Sequence, residues 1–222
     1  MIRAIVVDID GTITDPRRRL EVSAMESLRR VQDNGVITMV ASGNVLPVSY
    51  GLSTFVGMNG PIIAENGGLV SYEERIYTVH SNHAATEAYE YLRTIMPVER
   101  LFTDRWRETQ VALKLTVDPD EVREALRGRE VVVETTGFAI HLMEPGHSKF
   151  SGVRKAFELL GIGVEEVAAF GDSDNDAKMI QGCGRGIAVG NASPAAKEVA
   201  DHVTSRPNGE GVTEGMEWLG LL

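Results

Sequence analysis

The chain has a single cysteine, Cys183, among 222 residues, so no disulfide can close within it. A lone cysteine fits a reducing compartment, and it reads as a small buried apolar residue rather than a thiol nucleophile. No His/Cys pairs stand at zinc spacing, which sets aside a zinc or thiolate centre. Long hydrophobic runs are missing as well. The apolar opening from Ile2 to Ile9 is too short for a signal peptide, and no small-residue cleavage site follows it. No stretch is long enough to span a bilayer. A cytoplasmic protein without a membrane partner is expected. Positive charge is scarce: 22 Lys and Arg against 32 Asp and Glu leave a net charge of −10. Nucleic acid is therefore not an expected partner, because phosphate backbones need a basic surface. Internal repeats, low-complexity segments and long linkers are also lacking.

What remains is an ordinary globular composition, 43% hydrophobic and 24% charged, able to bury a core. The length suits one large domain or a core with a smaller domain inserted. Ile2 to Ile9 is rich in β-branched residues and almost continuously apolar, the pattern of a strand covered on both faces. Ser23 to Asn34 carries Ala24, Leu28 and Val31 at helical spacing, with Gly35 as the stop. Val36 to Ala41 is a second apolar run. Strand, helix and strand at this spacing form a right-handed βαβ unit with parallel strands. The C-terminal strand ends then share one edge, where ligands bind in open α/β sheets.

The second half repeats this logic. Phe150, Val153, Phe157 and Leu160 mark a helix stopped by Gly161; Val167 to Phe170 is a strand; Asp174 to Gln181 reads as helical; Gly186 to Val189 is a short strand; and Ser193-Pro194 opens another helix. The middle differs. A helix is predicted from Ala84 to Met96, a strand from Val111 to Val117, a short helix from Pro119 to Leu126 capped by Asp118, and a hairpin of Val131–Thr135 and Phe138–Met143 across Thr136-Gly137. This α+β stretch inside an α/β chain suggests an inserted domain over 83–146, with 1–82 and 147–222 as the core.

Four polar clusters carry chemistry. Asp8-Ile9-Asp10-Gly11-Thr12 places two carboxylates at the end of the first strand, and Gly11 permits an abrupt turn. Ser42-Gly43-Asn44 ends the second, where a hydroxyl beside a glycine-freed N–H can hold an anionic oxygen. Lys149 lies just inside a helix opened by His147-Ser148. The helix dipole disfavours an ammonium there, so an anion alongside is expected. Gly171-Asp172-Ser173-Asp174-Asn175-Asp176 is dense in oxygen ligands suited to a hard cation such as Mg²⁺. Taken singly, the first three clusters read better as a hydrated strand end, an ordinary loop and a surface lysine, and the fourth equally well as a polar turn with Asp174 capping the next helix. Together they follow strands or open a helix, in positions that converge on one sheet edge.

In that order the four clusters resemble the motifs of the haloacid dehalogenase superfamily of phosphatases. Asn59-Gly60 and Glu65-Asn66-Gly67-Gly68 look like a segment of its Cof-type, sucrose-phosphatase-like branch, whose α+β cap falls where 83–146 is inserted here. The short insertion and Ser42-Gly43-Asn44 look most like the archaeal phosphoglycolate phosphatases. Many relatives carry arginine where this chain has Asn44, so Lys149 would supply more of the charge facing phosphate.

The resemblance implies a Rossmann-like core with a parallel sheet, helices on both faces and a small cap. It implies Mg²⁺-dependent hydrolysis of a small phosphate monoester, 2-phosphoglycolate in particular, with sugar phosphates and phosphoglycerates as alternatives. Asp8 would be the nucleophile and Asp10 the acid and base. Ser42, Gly43, Lys149 and Asn175 would hold the phosphoryl oxygens. Asp8, Asp10 through its carbonyl, Asp172 and Asp176 would serve the metal. Arg105, Arg107, His141 and Glu144 are the candidates in the cap for choosing the substrate. Two rivals are weighed: a phosphomutase, which shares both aspartates, and a non-catalytic phosphate sensor, which would be expected to lose one of them.

Overall fold

The computed structural model describes residues 1–222. Along the chain run β1 (Ala4–Val7), α1 (Val22–Asp33), β2 (Ile37–Ala41), α2 (Leu46–Val56), β3 (Ile62–Ala64), β4 (Leu69–Tyr72) and β5 (Arg75–Thr78). Next come α3 (His83–Leu92), β6 (Val111–Leu113), α4 (Pro119–Ala125), β7 (Val132–Thr135) and β8 (Ile140–Met143). The chain closes with α5 (Lys149–Leu160), β9 (Val167–Gly171), α6 (Ala177–Gly182), β10 (Arg185–Ala188), α7 (Pro194–Glu198), β11 (His202–Val203) and α8 (Asn208–Trp218).

Eight strands form one sheet in the order β11-β10-β9-β1-β2-β3-β4-β5. β11 through β3 are parallel, and β4 and β5 extend the sheet as antiparallel strands. The continuous apolar run at the start is explained by burial on both sides. Ile5 and Val7 face one core with α1 and α8, while Ala4 and Val6 face another with α5 and α6. β9 divides likewise, Ala168 and Phe170 to one side and Val167 and Ala169 to the other. Each fully buried Val, Ile or Phe among them contributes about 1.5–3 kcal/mol. β1 sits at the switch point: the chain leaves it toward β2 on one side and returns on the other as β9. In an open α/β sheet that arrangement opens a crevice at the C-terminal strand ends.

Residues 83–143 build a separate three-stranded antiparallel sheet, ordered β6-β8-β7. α3 and α4 cover one face of it through Ala85, Ala88, Leu92, Val122 and Leu126, packed on Val111, Leu113, Ile140 and Leu142. Two predicted elements, a helix and a strand of the insertion, end well before the expected residue. α3 stops at Leu92 rather than Met96: the Thr94 hydroxyl bonds back to the Tyr91 carbonyl, and Pro97 disfavours helical backbone before it. β6 ends at Leu113, after which Lys114 turns its N–H to the Glu99 carbonyl. Asp118 caps α4 by accepting from the Asp120 N–H. No helix is long and apolar enough to cross a membrane.

Candidate active site

Asp8 follows β1, and its N–H is anchored on the Phe170 carbonyl of β9 (3.0 Å). The chain then turns sharply at Gly11, whose φ of +90° suits glycine. A side chain there would strike the Asp172 carboxylate. The amides of Asn191 and Asn208 hold the Gly11 carbonyl (2.9 and 2.7 Å), and the Thr12 hydroxyl donates to Asp172 Oδ1 (3.0 Å). The first and fourth sequence clusters are thus joined.

Lys149 opens α5 and is 2% exposed. Its ammonium donates to Asp8 Oδ1 (2.5 Å) and to Asp176 Oδ1 (2.6 Å). Burial alone would lower its pKa, but Asp176 and Asp8 together outweigh that and hold it raised, so the lysine stays charged. Asp8 is pushed well above the usual carboxylate range, first by burial, against the pull of Lys149 and with the help of neighbouring acids. Asp172 is pushed up to about 6, by burial and then by Asp176. The second oxygen of Asp176 accepts from the Asp172 N–H (3.1 Å), the Ser173 N–H (3.0 Å) and the Ser173 hydroxyl (3.0 Å). Both Asp176 oxygens are therefore engaged by protein donors.

Asp8, Asp172 and Asp176 each bring a carboxylate oxygen within 4.8 Å of the others. Three crowded carboxylates, all hard oxygen donors with no nitrogen or sulfur among them, fit a divalent cation of the Mg²⁺ or Ca²⁺ type.

The Ser42 hydroxyl accepts from the Asn44 N–H and side-chain amide, both at 3.0 Å. The same Asn44 amide donates to Asp10 Oδ2 (2.7 Å). Asn44 thus ties the second cluster to Asp10 and brings no charge of its own. Asn175 donates to Asn66 Oδ1 (3.2 Å), and Asn66 donates to Gln110 Oε1 (3.3 Å). Gln110 meets His141 Nδ1 (3.1 Å), and His141 Nε2 meets the Thr136 hydroxyl (3.2 Å). A hydrogen-bonded chain therefore runs from the core to the hairpin of the inserted segment.

These groups surround a cavity of about 300 Å³. Asp8, Asp10, Gly43, Lys149, Asp172 and Asn175 line it, while Ser42 and Asp176 stand one layer behind. Thr136, Gly137 and Phe138 of the hairpin form the opposite wall, with Asp15, Pro16 and Arg18 at the side. None of the four residues expected to choose the substrate lies on this lining. The Arg105 guanidinium sits over Phe102. The Arg107 side chain is buried and donates to the Gly43 carbonyl (3.0 Å). His141 is wholly buried within the chain of bonds just described. Glu144 is taken by His80 and Ser81. The residue that does reach the cavity, Arg18, belongs to the core and was missed. Its one signal in sequence is the run Arg17-Arg18-Arg19, close behind the first cluster of a chain poor in positive charge.

A model of the haloacid dehalogenase-like hydrolases matches residues 5–104 and 111–216. Phosphoglycolate phosphatase of Methanothermobacter thermautotrophicus is 42% identical over 214 residues, covering 96% of this chain and 97% of that protein. Phosphoglycolate phosphatase of Archaeoglobus fulgidus is 37% identical over 222 residues, covering 99% and 98%. Among solved structures, Thermoplasma acidophilum 0175 superposes with a TM-score of 0.92 at 32% identity over the whole of both chains. A sugar phosphatase of HAD subclass IIB superposes at 0.81 with 20% identity, covering 99% of this chain and 100% of that one, and shares the fold.

Proposed function

The chain belongs to the haloacid dehalogenase-like hydrolases and is a phosphoric monoester hydrolase, and we propose that it converts 2-phosphoglycolate to glycolate and phosphate with Mg²⁺. The observation that carries the mechanism is the pair Asp8 and Asp10 on one small polar cavity, with Lys149 against Asp8.

In this reading an Asp8 oxygen attacks phosphorus and the bond to the substrate alcohol breaks. Asp10 gives its proton to the departing oxygen. It then takes one from water, which attacks the aspartyl-phosphate and releases phosphate. Lys149 offsets the repulsion between two anions and, with Gly43 and Asn175, holds the phosphoryl oxygens, while the Ser42 hydroxyl positions Asn44 behind them. Asp8, the Asp10 carbonyl and Asp172 would hold the metal ion, with Asp176 fixing the Asp172 loop from behind. When bound, the cation would offset negative charge in the site. Residues 1–82 and 147–222 act as the catalytic core, and 83–146 as a cap that closes on it. The insertion's own sheet and apolar core support that division.

Phosphate release from phosphoglycolate, phosphoglycerates, sugar phosphates and an aryl phosphate, with Mg²⁺ or EDTA and beside Asp8→Asn, tests this. Metal-dependent release greatest with phosphoglycolate and absent in the variant is expected. An isomerised sugar phosphate with no free phosphate would replace hydrolysis by a mutase reaction.

A further inference from the structure

Within the cavity the acids outnumber the cations. Asp8, Asp10, Asp15 and Asp172 line it, against Lys149 and Arg18. Lys149 is buried and committed to Asp8 and Asp176. Arg18 is differently placed. Its side chain is 54% exposed, and its Nε donates to Asp10 Oδ1 (2.7 Å). Its two terminal nitrogens have no protein partner. The guanidinium lies over the Phe138 ring, 4.8 Å from the centroid. It is therefore held between the acid of the core and the hairpin tip of the inserted segment.

The backbone presents this side chain in a fixed way. Arg18 has a φ of +61°, which non-glycine residues rarely adopt. Its N–H bonds to the Asp15 carbonyl (2.8 Å), the Asp15 N–H bonds to the Arg19 carbonyl (2.9 Å), and the Asp15 carboxylate accepts from the N–H groups of Arg17 and Arg19. The Arg19 guanidinium closes on Asp15 as well (2.7 Å). Of three consecutive arginines, only the middle one faces the cavity. A strained residue held by a closed loop beside a candidate catalytic group has the character of a functional constraint.

We propose that Arg18 is the specificity-determining residue, and that its terminal nitrogens bind a carboxylate on the substrate's leaving alcohol. The inference rests on the phosphatase reading of the same cavity. If Asp10 protonates the departing oxygen, a group bonded to Asp10 stands just beyond that oxygen, where the alcohol's substituent must lie. A guanidinium whose Nε is used still offers the planar pair of donors that matches a carboxylate. Phe138 backs its face and the cavity is small, so reach is short. The class favoured is a phosphate ester of a 2-hydroxy acid, in which one carbon separates ester oxygen from carboxylate.

The test compares phosphoglycolate with ethyl phosphate, which has the same length and no carboxylate. Arg18→Asn removes the charge and suits the left-handed backbone, and Arg18→Lys keeps the charge without the fork. The ratio of kcat/KM for the two esters should fall about 10- to 100-fold in Arg18→Asn, the worth of a charged hydrogen-bonded contact, and by less in Arg18→Lys. An equal loss on both esters, or no loss on either, overturns the proposal. Binding of both compounds to Asp8→Asn protein, by calorimetry, separates this from the reading beneath it. No turnover of either ester by the wild-type protein, with the binding preference for phosphoglycolate intact in Asp8→Asn and lost on adding Arg18→Asn, removes the catalytic reading and keeps Arg18 as the carboxylate site. Equal binding of the two compounds with Arg18 present removes Arg18 from that role.

Discussion

The carboxylate of Glu65, at the end of β3, accepts hydrogen bonds from both the N–H (2.9 Å) and the hydroxyl (2.8 Å) of Thr109 in the inserted segment. The Glu108 N–H reaches the same carboxylate at 3.1 Å. Glu65 is wholly buried, and burial holds its pKa above the ordinary glutamate range, against the pull of these donors. Glu65, Asn66 and Gly67 all take left-handed backbone, at φ of +52°, +54° and +94°. Such strain persists only where surrounding contacts fix it. Here those contacts tie core to insertion.

Glu65→Ala would leave three donors around one buried site without an acceptor. Each buried unsatisfied group costs about 1–3 kcal/mol, so unfolding in urea should show a loss of at least about 3 kcal/mol. Glu65→Gln, which keeps one carbonyl acceptor, should lose less. Equal stability of Glu65→Ala and wild type would mean that the clamp adds nothing to the fold.

Lys149 separates two buried acids that would otherwise face each other. Lys149→Met should abolish measurable phosphate release and destabilise the protein by about 3–5 kcal/mol, the cost of leaving a buried charge unpaired. Combining it with Asp8→Asn removes one of the two stranded charges and should recover part of that stability. Denaturant unfolding of the single and double variants reads this directly. A double variant no more stable than Lys149→Met would mean that repulsion between Asp8 and Asp176 is not what the lysine relieves.

The four polar clusters were legible because each follows a buried strand or opens a helix, and a parallel sheet brings strand ends to one edge. The insertion was legible from its change of pattern, and α3 begins at His83, one residue before the expected Ala84. Other parts left little trace. β5, Arg75–Thr78, is largely exposed and has no apolar face to announce it. α8 contains Gly209, Gly211 and Gly215, residues of poor helix propensity. They are there because the helix packs closely: a side chain at Gly215 would stand 2.6 Å from the Phe170 ring. The Arg18 contact depends on a left-handed loop residue and on a hairpin 120 positions away in Phe138; neither follows from periodicity. The role of Asn44 was equally hidden, since its partners Asp10 and Ser42 meet only in the folded chain.

His147 sets a dependence on acid. Its Nε2 meets the Glu65 carbonyl (2.7 Å), while its buried Nδ1 has no partner. Burial first, against that carbonyl, lowers its pKa from 6.5 to about 4. The unfolded chain therefore binds a proton between these values that the folded chain refuses, so this contribution to stability is present above pH 6.5 and is lost as pH falls toward 4. The full effect is on the order of 3 kcal/mol. The stability gap between wild type and His147→Gln should narrow as unfolding is repeated from pH 7 down to pH 4. A gap that stays constant would show that His147 carries a proton in the folded protein.

Asp10→Asn separates the two halves of the reaction. Asp10 accepts from Arg18 at one oxygen and from Asn44 at the other. An amide keeps only one acceptor, so one of those bonds must be given up, but the exposed edge of the loop can absorb that and the fold should survive. Turnover should fall about 10²- to 10⁴-fold, the usual worth of a positioned acid and base. The leaving group decides which step suffers. An alkyl phosphate needs a proton on the departing oxygen, so its first step slows and no intermediate builds up. An aryl phosphate leaves without that help, so Asp8 should still be phosphorylated while the water step lacks its base. A rapid-mix experiment with an aryl phosphate should then show a burst of phenol matching the enzyme concentration, followed by slow release. No burst together with near-wild-type turnover would remove Asp10 from both steps.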